Sequence, residues 1–185
     1  MIVMARKVPM LERELRAGRI PVSYNVGLGR GMLFPAPGFD LRDSVVGLVG
    51  LGFIGAGLAH VLNLLGAIVL AYDPYVTEPP EGVVTVPLDE LLWRSDIVSL
   101  HAKLTPETRH IVGRRELELM QRHAYLINTA RGELVDNLAL AEALHAGTIA
   151  GAAVDVFDSE PDIADHPLLH APNCLVTPHM TGNTP

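Results

Sequence analysis

From Val45 onward the apolar residues fall into short runs, separated by stretches in which they recur at helical spacing. VVGLVG (45–50) and AIVLAY (67–72) flank a helical pattern over 54–65. VVTV (83–86) follows, then a short helix over 87–94 and DIVSL (96–100). A helix over 114–121 precedes AYLIN (124–128), a helix over 137–146 precedes IAGAAVDV (149–156), and NCLVT (173–177) closes the series. Strands that are apolar along their whole length must be buried on both faces, and helices between them are the crossovers that parallel neighbours need. The pattern predicts an α/β fold: a doubly wound parallel sheet of about seven strands.

The chain before Val45 reads differently. Met1 to Arg19 has the spacing of an amphipathic helix, with Ile2, Val3, Met10, Leu11 and Leu15 apolar and Glu12, Arg13, Glu14 and Arg16 on other faces. Gly18 ends it, and Pro9 is expected to kink or break it. Residues 20–40 hold Pro21, Gly27, Gly29, Gly31, Pro35, Pro37 and Gly38, the density of an irregular connector. The division is therefore a leading helix and connector over 1–40 and a sheet domain over 41–185, with no internal repeat.

Composition narrows the function classes. At 185 residues, 49% hydrophobic and 19% charged, the chain is a globular protein able to bury about 70% of its unfolded surface. A net charge of −7 argues against nucleic acid as a partner. Cys174, the sole cysteine, excludes an internal disulfide and any multi-cysteine zinc site, which fits a reducing cytoplasm. No Asp, Glu, Lys or Arg occurs from Val45 to Tyr72, long enough to pass for a membrane span. Gly47, Gly50, Gly52, Gly55, Gly57 and Gly66 interrupt it at turn-like positions, and MIVMARK has its charges in the wrong order for a secretory signal, so no membrane role is expected.

Those glycines have a chemical reading. The first strand runs straight into Gly50-Leu51-Gly52-Phe53-Ile54-Gly55 and a helix follows, which is G-x-G-x-x-G in the context that a dinucleotide requires. Gly50 serves the tight turn, Gly52 the approach of a pyrophosphate, Gly55 the packing of helix on strand, and the helix N-terminus offers amides to the phosphates. An acidic residue is then expected some twenty positions on, and Asp73 ends the second strand. Its carboxylate suits ribose hydroxyls and repels a 2′-phosphate. No Lys or Arg follows before Arg94, so the pattern is that of a Rossmann fold selecting NAD over NADP. The ordinary alternative is a tight strand–helix turn with no ligand. Gly27-Leu28-Gly29-Arg30-Gly31 follows no strand and reads as loop.

Three later segments, Asn128-Thr129-Ala130-Arg131-Gly132, Asp155 to Pro161 (DVFDSEP) and Thr177-Pro178-His179-Met180-Thr181-Gly182, join GLGFIG and LTPETRH (104–110). Together they closely resemble the D-2-hydroxyacid dehydrogenase family, which includes phosphoglycerate, glyoxylate/hydroxypyruvate and formate dehydrogenases. The resemblance implies an NAD-dependent oxidoreductase that moves a hydride between nicotinamide and a small 2-hydroxy or 2-oxo acid. It implies that Arg131 binds the substrate carboxylate, that His179 is the acid/base, and that Glu160 pairs with His179. It also implies that the Phe53 and Ile54 amides, Thr105, Thr129, Ala130, Arg131, Asp155, His179 and Gly182 line the cofactor site with the glycine turn, Asp155 near the carboxamide. The chemistry is coherent: an alkoxide formed by hydride transfer needs a proton, and a planar guanidinium suits a carboxylate beside a carbonyl. Singly, each residue has a plainer reading: Arg131 a solvated turn charge, Glu160 a loop carboxylate, His179 a packed loop histidine.

His166 and His170 have i,i+4 spacing, which on a helix can hold a metal with His179 as third ligand, but Pro167 and Pro172 make the stretch loop-like and no metal is expected. His101 is expected to face the cofactor; His60, His110, His123 and His145 read as surface or filler, and Cys174 as a small core residue.

The sequence also departs from the family. Lys103 stands where a proline is common, either adding charge near the cofactor phosphates or simply solvated, and Thr181 stands where a smaller residue is usual, with the prospect of crowding the nicotinamide pocket. The family's smaller substrate domain, built mostly from residues before the cofactor domain, finds little counterpart between Met1 and Pro185. The expectation is a coenzyme domain with its catalytic residues, weakly active alone. The alternatives are a non-catalytic NAD-binding or corepressor-like interaction module, and a separate chain supplying the second lobe. The family places the leading helix in a dimer interface, so a homodimer through that helix is expected.

Overall fold

The computed structural model describes Met1, Met4, residues 8–18 and residues 40–182. The connector over 20–40, apart from Asp40, and the Gly27–Gly31 triplet lie outside the described residues, as do Ile2 and Val3. Of the leading helix, α1 (Val8–Arg16) is described. Pro9 falls in the first turn of Val8–Arg16 as described, where a missing N–H is tolerated. Gly18, at φ +68°, follows its end.

The sheet elements then follow in the expected alternation: β1 (Val45–Val49), α2 (Phe53–Leu64), β2 (Ile68–Tyr72), β3 (Val83–Thr85), α3 (Leu88–Arg94), β4 (Ile97–Leu100), α4 (Arg114–Leu119), β5 (Tyr125–Asn128), α5 (Asn137–Ala146), β6 (Gly151–Val154) and β7 (Cys174–Val176). Short 3₁₀ turns cover Gly132–Leu134 and Pro167–Leu169. The seven strands form one sheet in the order β3-β2-β1-β4-β5-β6-β7, every pair parallel.

Alternation along each strand divides the core between two faces. Val46 and Leu48 of β1, Val69 and Ala71 of β2 and Ile97 of β4 pack with Ala59 and Leu62 of α2 and with Leu41. Leu70, Val98, Leu100 and Leu126 point the other way, onto Leu91 and Leu92 of α3, Leu117 of α4 and Leu140 and Leu144 of α5. Gly47 allows that second layer to approach, since a Cβ there would lie 2.5 Å from Leu91 Cδ2. This double coverage accounts for the continuous apolar strands. No helix among the described residues is long and apolar enough to cross a membrane.

The topology decides where a ligand sits. From β1 the chain crosses to β2 on one side and later returns to β4 on the other, so the loops after β1 and β4 diverge across a crevice at the strands' carboxyl ends.

Candidate active site

The turn after β1 shows why its glycines are needed. Gly50 has φ +96°, and a Cβ there would lie 2.6 Å from the Ala102 amide nitrogen; one at Gly55 would lie 2.3 Å from the Gly50 carbonyl oxygen. Both are demanded by the protein's own packing. Gly52 is different: its φ of −69° suits any residue, and a Cβ would meet nothing within 4 Å. No side chain caps α2, whose first residues Phe53 and Ile54 are 95% and 64% exposed. An open seat beside an uncapped helix N-terminus fits a pyrophosphate. Asp73 ties the turn to β2: Oδ2 accepts from the Leu51 amide (2.8 Å) and Oδ1 from the Tyr75 amide (3.0 Å), leaving lone pairs for ribose hydroxyls.

A cleft of about 360 Å³ runs from this turn across the carboxyl edge. Ile54 lines it at one end, residues 101–104 after β4 along its side, and Thr129, Ala130 and Arg131 after β5 beyond them. His101 therefore faces the cleft as expected; burial lowers its pKa, and its Nε2 hydrogen-bonds Ser99 Oγ at 2.9 Å. Lys103 is exposed on the lining, not packed away. Thr105 is not brought to the cleft lining. Its amide and hydroxyl are engaged by Thr108 Oγ1 (2.8 and 3.2 Å), which also donates to the Lys103 carbonyl (2.7 Å) and closes that loop.

Arg131 is presented by a braced turn. Buried Asn128, at the end of β5, donates from Nδ2 to the Arg131 carbonyl (2.8 Å) and accepts at Oδ1 from the Ala130 amide (3.1 Å). The guanidinium donates from Nη1 to the Ala130 carbonyl (2.6 Å), and no carboxylate among the described residues pairs with it. Gly132 lets this loop lie against the next: a Cβ there would fall 2.1 Å from the Phe157 carbonyl carbon.

Glu160 and His179 meet directly. His179 Nδ1 donates to Glu160 Oε2 at 2.7 Å, while Glu160 Oε1 accepts from the Phe157 amide at 2.8 Å. The His179 hydrogen bond lowers the Glu160 carboxyl's pKa, burial opposes it, and the Phe157 amide adds to the lowering. His179 stands at φ +51°, with Nε2 left available at an exposed position.

Asp155 is tied to the turn that follows β7. It ends β6 at 2% exposure, and both of its oxygens are turned to the segment 177–181 instead of the cleft. Burial works to raise its pKa, yet the Thr177 and Thr181 hydroxyls and the Thr181 and Met180 amides hold it at about 2. Thr181 is thus tied to Asp155, and Gly182 is exposed with nothing against it.

His166 is nine-tenths buried: Nε2 donates to Asp158 Oδ1 (3.0 Å), Nδ1 accepts from the Leu168 amide, and the ring stands edge-on to Phe157 at 4.9 Å. Its stretch is a 3₁₀ turn, so i,i+4 spacing does not bring His170 to the same face. Among the described residues no three His, Cys, Asp or Glu side chains gather as a metal set. His145 bonds the Ala141 carbonyl of α5 and His123 pairs with Asp96, both structural contacts, and His60 and His110 are exposed. Cys174 is half-buried in β7, where burial pushes its thiol up to about 12. Asn128 and Ser99 were missed as site residues; the available signals were a polar residue closing an apolar strand at Asn128 and one inside an apolar strand at Ser99.

A family profile described as the D-isomer specific 2-hydroxyacid dehydrogenase, NAD binding domain, matches residues 1–181. Among curated relatives, a glyoxylate reductase of Korarchaeum cryptofilum is 42% identical over 181 residues, 96% of this chain and 52% of that protein. Among solved structures, a D-lactate dehydrogenase of Treponema pallidum superposes with a TM-score of 0.86 at 30% identity, covering 99% of this chain and 56% of the other. The NAD-complexed form of a D-isomer specific 2-hydroxyacid dehydrogenase from Lactobacillus delbrueckii ssp. bulgaricus gives 0.82 at 33% identity, covering 97% and 56%. The chain spans between about a third and about half the length of the curated relatives it matches.

Proposed function

Because the chain belongs to the D-isomer specific 2-hydroxyacid dehydrogenase family, as its NAD binding domain, we propose that it carries the cofactor site and the acid/base machinery of an NAD-dependent oxidoreductase acting on a small 2-hydroxy or 2-oxo acid. The observation that carries the catalytic part is the Glu160–His179 pair, 2.7 Å apart, on loops that leave the same sheet edge as Arg131. Gly50, Gly52, Gly55 and Asp73 seat the dinucleotide, with Thr129, Ala130 and Arg131 along the cleft. Asp73, followed by no basic residue before Arg94, is the basis for NAD over NADP.

When bound, the nicotinamide supplies or accepts the hydride. The residues of this chain manage the rest. Arg131 holds the substrate carboxylate and draws charge toward the keto oxygen. His179 keeps its Nδ1 proton on Glu160, so Nε2 is the working nitrogen. In reduction the imidazolium gives its Nε2 proton to the keto oxygen as the alcohol forms; in oxidation the neutral ring takes the hydroxyl proton. Glu160, whose carboxyl pKa that contact lowers, orients the ring.

The division into a leading segment over 1–40 and a cofactor domain over 41–185, a homodimer through the leading helix, and residence in the cytoplasm belong to the same proposal. A non-catalytic NAD-binding module is the competing reading, and a retained Glu160–His179 pair, with an Arg131 that no carboxylate among the described residues engages, weighs against it. An absorbance assay tests the catalytic part: glyoxylate or hydroxypyruvate is expected to consume NADH, and His179→Gln to lower kcat by about 10²-fold or more with NADH affinity unchanged. NADH binding without turnover of any 2-oxo acid would favour the competing reading.

A further inference from the structure

We propose that Thr181 is a positioning residue, whose hydroxyl completes the set of donors that fixes the turn 177–181 on the Asp155 carboxylate and so holds His179 against Glu160. The inference rests on the reading of His179 as the acid/base. His179 occupies a left-handed backbone conformation, φ +51°, which costs free energy for a residue with a side chain, so its neighbours must hold it there. They do so from both sides. Before it, Thr177 Oγ1 donates to Asp155 Oδ1 at 2.5 Å. After it, the Met180 amide donates to Oδ1 at 3.0 Å, and the Thr181 amide and hydroxyl donate to Oδ2 at 3.0 and 2.6 Å.

Two donors on each oxygen exhaust the acceptor capacity of a carboxylate. Asp155 is a rigid post for this turn: it is 2% exposed, and its amide bonds the Asn128 carbonyl at 3.0 Å, fixing it to the end of β5. Thr181 itself is exposed, so its hydroxyl rather than its packing is what the turn uses. With that hydroxyl removed, Oδ2 keeps a single donor. Asp155 thus acts on His179 through this turn.

The test reads the His179 ring directly, by long-range ¹H–¹⁵N spectra of the full chain at a pH where the imidazole is neutral, the signal being assigned by its loss in His179→Gln. Wild type and Thr181→Ser are expected to show the Nδ1–H tautomer that Glu160 stabilises. Thr181→Val keeps the shape and both amides but lacks the hydroxyl. Its ratio of Nδ1–H to Nε2–H forms should fall by about fivefold, the factor carried by one hydrogen bond of ordinary strength. Thr181→Ala repeats the comparison if valine perturbs folding. A wild-type tautomer ratio in both hydroxyl-free variants would overturn the proposal. Absence of the Nδ1–H form in wild type would instead overturn the Glu160–His179 pairing, and the proposal with it.

Discussion

Gly52 and Gly55 occupy one turn yet should respond oppositely to a methyl group. At Gly55 the added carbon would collide with the Gly50 carbonyl, and Gly55→Ala is expected to cost about 1–3 kcal/mol of stability, read by thermal or denaturant unfolding. At Gly52 the carbon enters open space, so Gly52→Ala should leave stability within about 0.5 kcal/mol and weaken NADH binding. A Gly52→Ala chain that binds NADH as wild type does would mean that no phosphate approaches there. Lys103, on the cleft lining, is expected to add attraction for the dinucleotide: Lys103→Ala should lower NADH affinity by about threefold at low salt and less at high salt, as exposed charges do. At this scale spacing and chemistry coincide in the sequence at Gly50, Gly55, Asp73, Glu160 and His179, and the structure joins Glu160 to His179 and Asp73 to the glycine turn. The ties of Asp155 were not legible, because the donors that meet that carboxylate come from a turn more than twenty residues away. The local tie of Thr105 to Thr108 was not read from the sequence either.

The loop clamped on Asp155 behaves as one element, and its response to acid has a defined sign. Asp155 has a folded pKa of about 2 against an ordinary value of 3.8. A depressed carboxyl contributes stability that is fully present above its ordinary value and is lost as pH falls through the folded one. The contribution should therefore fade between about pH 4 and pH 2. Asp155→Asn puts an amide where four donors converge and is expected to cost about 2 kcal/mol at neutral pH, with a flatter stability profile in that acid window. An unchanged unfolding midpoint at neutral pH would show that the clamp carries little. Element by element, strand and helix identities were legible because each strand is buried on both faces and reads as an unbroken apolar run. The ends were less so: the pattern over 149–156 narrows to Gly151–Val154, since a strand extends only as far as its neighbours pair with it, and that over 114–121 narrows to Arg114–Leu119, where Met120 turns to extended backbone.

The molecule as a whole is a sheet whose chemistry lies along one edge, where the loops after β1, β4, β5, β6 and β7 converge. That convergence was readable from parallel order alone, because parallel strands place all their carboxyl ends together. What sequence left open is association. Val61, Leu64, Leu65 and Ile68 form an exposed apolar face around α2 that adds to the case made by the leading helix. Sedimentation is expected to show a dimer at micromolar concentration, and a monomer throughout would count against it. The central claim, that the edge at β1 and β4 binds NAD, is tested most directly by calorimetric titration of the purified chain with NADH and NADPH. The account predicts saturable one-site binding of NADH and markedly weaker binding of NADPH, owing to Asp73. Failure of both to bind would contradict it at its base, and tighter binding of NADPH would contradict the role given to Asp73.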